Sequence, residues 1–249
     1  MNDFRTSDIA TAATLLTRLP LPADHALAAE RASAAVWAYP VVGAALGGLA
    51  GITALAGLGL GLPSGLAAAL ALAALAFATG ALHEDGLADC ADGIGGGATP
   101  ERRLEIMKDS RIGAFGAVAL ILIFLARWSA LGALFEAGWV FWPLVIAGCV
   151  SRVPMVVGML VIPAARSGGM SAGVGMPPVP SVGLAIALGF VVALIFAGWT
   201  AFAMVIWVGL TSAALFAFAN SRLGGQTGDV LGASQQVAEV TILAVLVAA

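Results

Sequence analysis

The chain is short of charge. Of its 249 residues only 11 are Lys or Arg and 14 are Asp or Glu, 10% together, where a soluble domain carries about 25%. It has two cysteines, Cys90 and Cys149, far apart and outside any CxxC pattern. That argues against a disulfide framework or a thiolate metal site. The net charge of −3 is small and by itself says nothing about nucleic acid; no nucleic-acid partner is expected. The N-terminus carries Asp3 and Asp8 and lacks a compact positive–apolar–small pattern. No cleavable signal peptide is therefore expected.

What is abundant is apolar sequence: 61% of residues are hydrophobic and the mean hydropathy is +1.02. A water-soluble fold of this size has no interior large enough to hide so much apolar surface. The sequence predicts an all-α, polytopic integral membrane bundle of about six to seven transmembrane helices. It is read as a single membrane-embedded catalytic domain, 1–249, whose first 35 residues form a cytoplasmic or interfacial segment. Candidate spans are 36–62, 64–82, 113–135, 139–162, 182–197, 200–219 and 237–249, the last short enough to be a partial crossing. Pro63 and Gly138 mark tight turns between spans, and 8–19 is weakly amphipathic, suited to a short interfacial helix. Gly43, Gly47, Gly48 and Gly51 supply small residues for close helix packing.

Basic residues orient the chain. With the segment after the second span on the cytoplasmic side, Arg5, Arg18, Arg31, Arg102, Arg103, Lys108, Arg111, Arg166 and Arg222 all fall there. The opposite turns carry no Lys or Arg, a positive-inside pattern. An even number of crossings then separates the polar blocks 83–111 and 220–236, so both emerge on one face. Arg127 and Arg152 lie inside spans, where they either pair with buried acids or snorkel.

The second span ends in the first polar block, His83-Glu84-Asp85-Gly86-Leu87-Ala88-Asp89-Cys90-Ala91-Asp92-Gly93. On a helix Asp85, Asp89 and Asp92 sit at i, i+4 and i+7 and share a face. Stacked carboxylates repel one another, and a divalent cation resolves the repulsion. Hard oxygen ligands suit Mg²⁺ or Mn²⁺, and Mg²⁺ is usually held by a few carboxylates plus substrate phosphates. Glu84, one helical step off that face, is a further ligand or a general base, and His83 is a candidate acid or base. The plain alternatives are a solvated acidic helix end and, for His83, a simple hydrogen-bond donor. Glycines 95–97 read as a flexible turn.

Further on, Lys108 and Arg111 are spaced to face one phosphate-sized anion, with Asp109 and Ser110 between them. Arg102 and Arg103 suit phosphate binding and surface anchoring equally. The second block, 220–233, holds Arg222, Gly225, Thr227 and a single acid, Asp229, among small residues. It reads as a ligand loop in which Asp229 completes a metal site or positions a hydroxyl.

Three stretches together resemble cobalamin synthases, the adenosylcobinamide-GDP ribazoletransferase family. They are His83-Glu84-Asp85-Gly-Leu-Ala-Asp89-x-x-Asp92-Gly, Arg103-Leu-Glu-Ile-Met-Lys108-Asp109-Ser110-Arg111-Ile-Gly113, and Gly225-Gln-Thr227-Gly228-Asp229-Val-Leu-Gly-Ala. Thr17-Arg18-Leu19-Pro20-Leu21-Pro22 and Tyr39-Pro40-Val-Val-Gly43 are similar to that family too. The resemblance implies Mg²⁺ dependence and the bacterial inner membrane, with the active site facing the cytoplasm. It implies transfer of phosphoryl-cobinamide from adenosylcobinamide-GDP to α-ribazole or α-ribazole 5′-phosphate, with release of GMP. On that reading Glu84, Asp85, Asp89 and Asp92 hold metal, and Lys108, Arg111 and Arg222 serve the leaving phosphate. Partners would be the lipid bilayer and either a second copy of the chain or other cobalamin-assembly enzymes.

Two alternatives stand beside it. A CDP-alcohol phosphotransferase of phospholipid synthesis shares spaced acids, but its motif carries Asp-Gly-x-x-Ala-Arg where this chain reads Asp85-Gly-Leu-Ala-Asp89. A metal- or proton-coupled transporter would place acids at mid-span rather than at helix ends.

Overall fold

The computed structural model describes residues 4–20 and 25–249. Asp3, and Leu21 and Pro22 of the motif above, lie outside the described residues. Among the described residues every regular element is a helix. Two short helices, α1 (Ser7–Leu16) and α2 (His25–Arg31), precede a 3₁₀ turn at Ala34–Ala38 that runs into α3 (Tyr39–Gly59). Then come α4 (Ser64–Thr79), α5 (Leu82–Gly96), α6 (Pro100–Ile106), α7 (Ala114–Glu136), α8 (Phe141–Val150) and α9 (Val153–Val161). The chain ends with α10 (Met170–Val174), α11 (Val179–Ala197), α12 (Thr200–Leu223) and α13 (Gly228–Val247).

Six helical stretches are long and apolar enough to cross a membrane, or seven if α4 and α5 count as one broken span. Large side chains such as Ile52, Phe77, Ile121, Trp199 and Ile206 point outward. Such a surface is tolerable only against lipid. The glycines of α3 explain the tightest crossing in the bundle. A Cβ on Gly43 or Gly47 would strike the backbone carbonyl of Gly148 or Leu144 in α8, and one on Gly51 would come within 2.6 Å of Phe141. Gly48 faces looser space.

Three expectations change. The second span does not run on into the acidic block. Gly80 and Ala81 both take positive φ, 64° and 54°, and α5 leaves α4 at 87°. A left-handed pair at that corner turns the acidic helix across the bundle. Secondly, 139–162 is two helices with a break at Ser151–Arg152, where the Arg152 guanidinium donates to the Gly148 carbonyl and to Ser151 Oγ. Thirdly, the last span is not the short 237–249 but the 20-residue α13, which starts at Gly228. Its first turns are polar yet buried, so hydropathy alone hides them.

The amphipathic N-terminal segment is fixed more firmly than an interfacial helix requires. Asp8 of α1 is fully buried, accepting from Arg31 Nε at 2.6 Å and from Trp37 Nε1 at 2.9 Å. This anchor sets Leu15, Leu16 and Arg18 beside the site described next.

Candidate active site

Glycine in the acidic motif is a matter of closeness. A Cβ on Gly86 would come within 3.0 Å of the Asp229 backbone, and one on Gly232 within 3.4 Å of His83. Only small residues let α5 and the start of α13 pack backbone to backbone. The contact brings the two polar blocks together. Asp89 is half-buried within the fields of Asp85, Asp229 and Asp92, and of the single cation Arg166. Asp85 is exposed at the same place.

The loop before α13 is equally specific. Gly225 packs on Pro163 so closely that a side chain there would strike the Pro163 carbonyl. Gln226 pairs with Pro163 and Ala165 through two backbone hydrogen bonds of 2.8 Å. That pairing delivers Arg166, whose Nη2 donates to Asp229 Oδ2 at 3.2 Å. Thr227 caps α13, accepting from the Val230 amide, and its hydroxyl donates to Asp229 at 3.1 Å. Gly225 and Thr227 thus build the loop that presents Asp229.

Asp85 and Asp229 line a cavity of about 260 Å³, together with His83, Arg18, Tyr39 and Arg166. Methionines, aliphatic side chains, Ser171 and two glycines form the rest of its lining. A larger cavity of about 600 Å³ between α9, α11 and α12 has no titratable residue in its lining.

The four-carboxylate set does not gather at one point. Glu84 is buried and turned away from Asp85. Its Oε1 accepts from Arg127 Nη1 at 3.1 Å and from Gln236 Nε2 at 3.0 Å. A step of about 100° separates successive side chains on a helix, so Glu84 faces the bundle interior. Asp92 shares the stripe of Asp85 but sits about 10 Å further along the axis, against a different neighbour. Its two carboxylate oxygens accept from the Gly113 amide at 2.7 Å and the Gly116 amide at 2.8 Å, capping α7. A side chain on either glycine would collide with that carboxylate. Among the described residues, no three His, Cys, Asp or Glu side chains converge closely enough to hold a metal by themselves.

The Asp92 geometry gives a stability prediction. Hydrogen bonds to a charged acceptor contribute about 1.5–3 kcal/mol each, so Asp92→Ala should lower unfolding stability by about 2–4 kcal/mol. Asp92→Asn, which keeps one acceptor oxygen, should lose about half of that. Thermal unfolding in detergent reads the difference, and an Asp92→Ala variant as stable as wild type would rule out the cap.

The expected anion site is arranged differently from the prediction. Arg111 donates from both Nε and Nη2 to Asp109, the closest contact being 2.6 Å, and the pair is exposed. The Arg111 side chain and backbone amide hold the Asp109 carboxyl down at about 2. Lys108 and Ser110 are exposed, and none of these four residues lines the cavity. Arg222 is exposed and lies over the Phe218 ring. Arg103 is structural: buried, it donates to the Arg222 carbonyl at 2.9 Å.

Sequence reasoning did not identify the partners in one buried system. Arg127 binds Glu239 Oε1 at 2.7 Å as well as Glu84 and Gln236. Gln235 bridges Glu239 and Ser151, and Arg152 lies 3.9 Å from Glu239. The signal was available in Glu239, an acid inside an apolar run, where a charge needs a partner. Both intramembrane arginines therefore pair with buried acids rather than snorkel.

The sequence profile of the cobalamin-5-phosphate synthase family matches residues 8–247. The chain belongs to that family. Adenosylcobinamide-GDP ribazoletransferase of Bradyrhizobium diazoefficiens is 44% identical over 243 residues, covering 97% of this chain and 94% of the relative. The enzyme of the same name from Mesorhizobium japonicum is 44% identical over 238 residues, with 96% and 92% covered. That of Brucella anthropi is 41% identical over 248 residues, with 94% of each covered. No solved structure matches the chain significantly. The matched residues span both polar blocks.

Proposed function

We propose that this chain is an adenosylcobinamide-GDP ribazoletransferase with its active centre at Asp85, Asp89 and Asp229. The supporting observation is that Asp85 and Asp229, from distant parts of the sequence, line one cavity, with Asp89 within their field and Arg166 paired to Asp229. In the reaction a hydroxyl oxygen of α-ribazole, or of its 5′-phosphate, forms a bond to the phosphorus attached to cobinamide. The P–O bond to the GMP portion breaks, GMP leaves, and the hydroxyl proton passes to a base or to water.

The chemistry of the donor set fits Mg²⁺. The ion is commonly bound through one or two carboxylates, with substrate phosphates and water completing the shell. Asp85 and Asp89 would hold it, with Asp229 next to them. When bound, the ion supplies charge neutralisation at the transferring phosphoryl group and orients its oxygens. The chain's own residues do the remainder. Asp229, fixed by Thr227 and Arg166, accepts a hydrogen bond from the acceptor hydroxyl. Arg166 offers a fixed cationic donor to phosphate oxygens. Glu84 and Asp92 position α5 from either end, and Lys108 and Arg222, exposed cations outside the cavity, would serve the leaving nucleotide. The active face is cytoplasmic and the membrane is the bacterial inner membrane, in keeping with the basic residues on the site's side.

The test is Mg²⁺-dependent GMP release from adenosylcobinamide-GDP and α-ribazole by the purified protein in nanodiscs. CDP-diacylglycerol with an alcohol acceptor, read as CMP release, is the comparison. Folded protein that forms no GMP, or that forms CMP instead, overturns the assignment.

A further inference from the structure

The cavity beside Asp85 and Asp229 is lined by two chemically distinct sets of side chains. Met155, Met159, Met170 and Leu16 are apolar, and all but Met170 are buried. Arg166, Arg18 and the two aspartates are charged. Thioethers are polarizable and make favourable contacts with aromatic rings, so the first set suits a flat heteroaromatic base. The second set suits hydroxyls and phosphate. Two polar atoms on lining residues, His83 Nε2 and Arg166 Nη1, are buried without a hydrogen-bond partner in the protein. A bound group that reaches them from the cavity would supply the missing partners.

Size separates the two substrates. Ligand pockets for drug-sized molecules run from about 300 to 1,000 Å³. At about 260 Å³ the cavity admits something of nucleoside size. It has no room for an adenosylated corrinoid joined to GDP. Asp85 faces outward at the mouth, where a larger molecule has access.

We infer that this cavity is the acceptor site. It binds α-ribazole with the base against the methionines and the ribose hydroxyls toward Asp229 and Asp85. The donor's diphosphate meets Asp85 and Asp89 from outside. The inference rests on the transferase reading and adds the place and orientation of one substrate.

The test is equilibrium binding of α-ribazole to the full chain in nanodiscs without donor, followed by steady-state kinetics. Removing most of a buried methionine side chain from the contact should weaken α-ribazole about tenfold in Met159→Ala. Met170 is half exposed, so its truncation leaves the core intact, and Met170→Ala should weaken binding about threefold. KM for α-ribazole should rise in parallel, while KM for adenosylcobinamide-GDP stays within twofold. Folded variants that bind α-ribazole as tightly as wild type, or that raise the donor's KM instead, would overturn the inference. Wild-type protein that binds α-ribazole but releases no GMP would support the cavity assignment and remove the proposed reaction, so the two failures are distinguishable.

Discussion

Asp85→Asn and Asp89→Asn are each expected to lower GMP release by about a hundred- to a thousandfold, the scale of losing one electrostatic contact made in the transition state. Asparagine keeps the shape and removes the charge. Neither carboxylate holds the fold together: Asp85 is exposed, and Asp89 is crowded by like charges. The unfolding midpoint of each variant should therefore match or exceed that of wild type, because removing one acid relieves repulsion. Loss of turnover at full stability marks a group kept for chemistry. If both folded variants kept activity within twofold of wild type, the acidic centre would have no catalytic role.

The second large effect is structural and lies deeper. Arg127, with a side chain only 1% exposed, holds Glu84 and Glu239 at once. Breaking a buried ion pair by removing one partner costs about 3–5 kcal/mol, because the remaining charge is stranded in low dielectric. Arg127→Met strands two carboxylates and leaves only Arg152, at 3.9 Å from Glu239, nearby. Its stability in detergent should fall by about that amount. Turnover should fall with it, since Glu84 adjoins Asp85 on α5. Neutralising the stranded acids in an Arg127→Met, Glu84→Gln, Glu239→Gln triple variant should restore much of the stability, since all-neutral replacements of buried ion groups are often tolerated. Unfolding midpoints of the two variants decide this. An Arg127→Met protein as stable as wild type would mean the network contributes nothing.

The fold was legible because a bilayer imposes a crude rule: long apolar runs cross it. The spans, the turns at Pro63 and Gly138, and the even crossing count that puts Asp85 and Asp229 on one face were all readable. The α4–α5 corner was not. A left-handed Gly80-Ala81 pair leaves no mark in hydropathy, so the acidic block looked like the end of a straight span. The start of α13 was hidden because Gln235, Gln236 and Glu239 are polar yet buried, satisfied by partners far away in sequence. For the same reason helical spacing grouped Asp92 with Asp85 and Asp89, although its oxygens cap α7 through Gly113 and Gly116. Spacing shows which residues share a face. It does not show what stands opposite each turn of that face. Arg166 carried no local signal at all: its place beside Asp229 depends on the close approach of Gly225 to Pro163.

The most direct measurement is the anomalous signal of Mn²⁺, standing in for Mg²⁺, in crystals of the full chain with a non-reactive diphosphate analogue of the donor. The account predicts one ion or more within bonding distance of the Asp85 and Asp89 carboxylates and of the analogue's phosphate oxygens. A peak at Glu84 or Asp92, or beside Lys108 and Arg111, with nothing at Asp85 and Asp89, would contradict it.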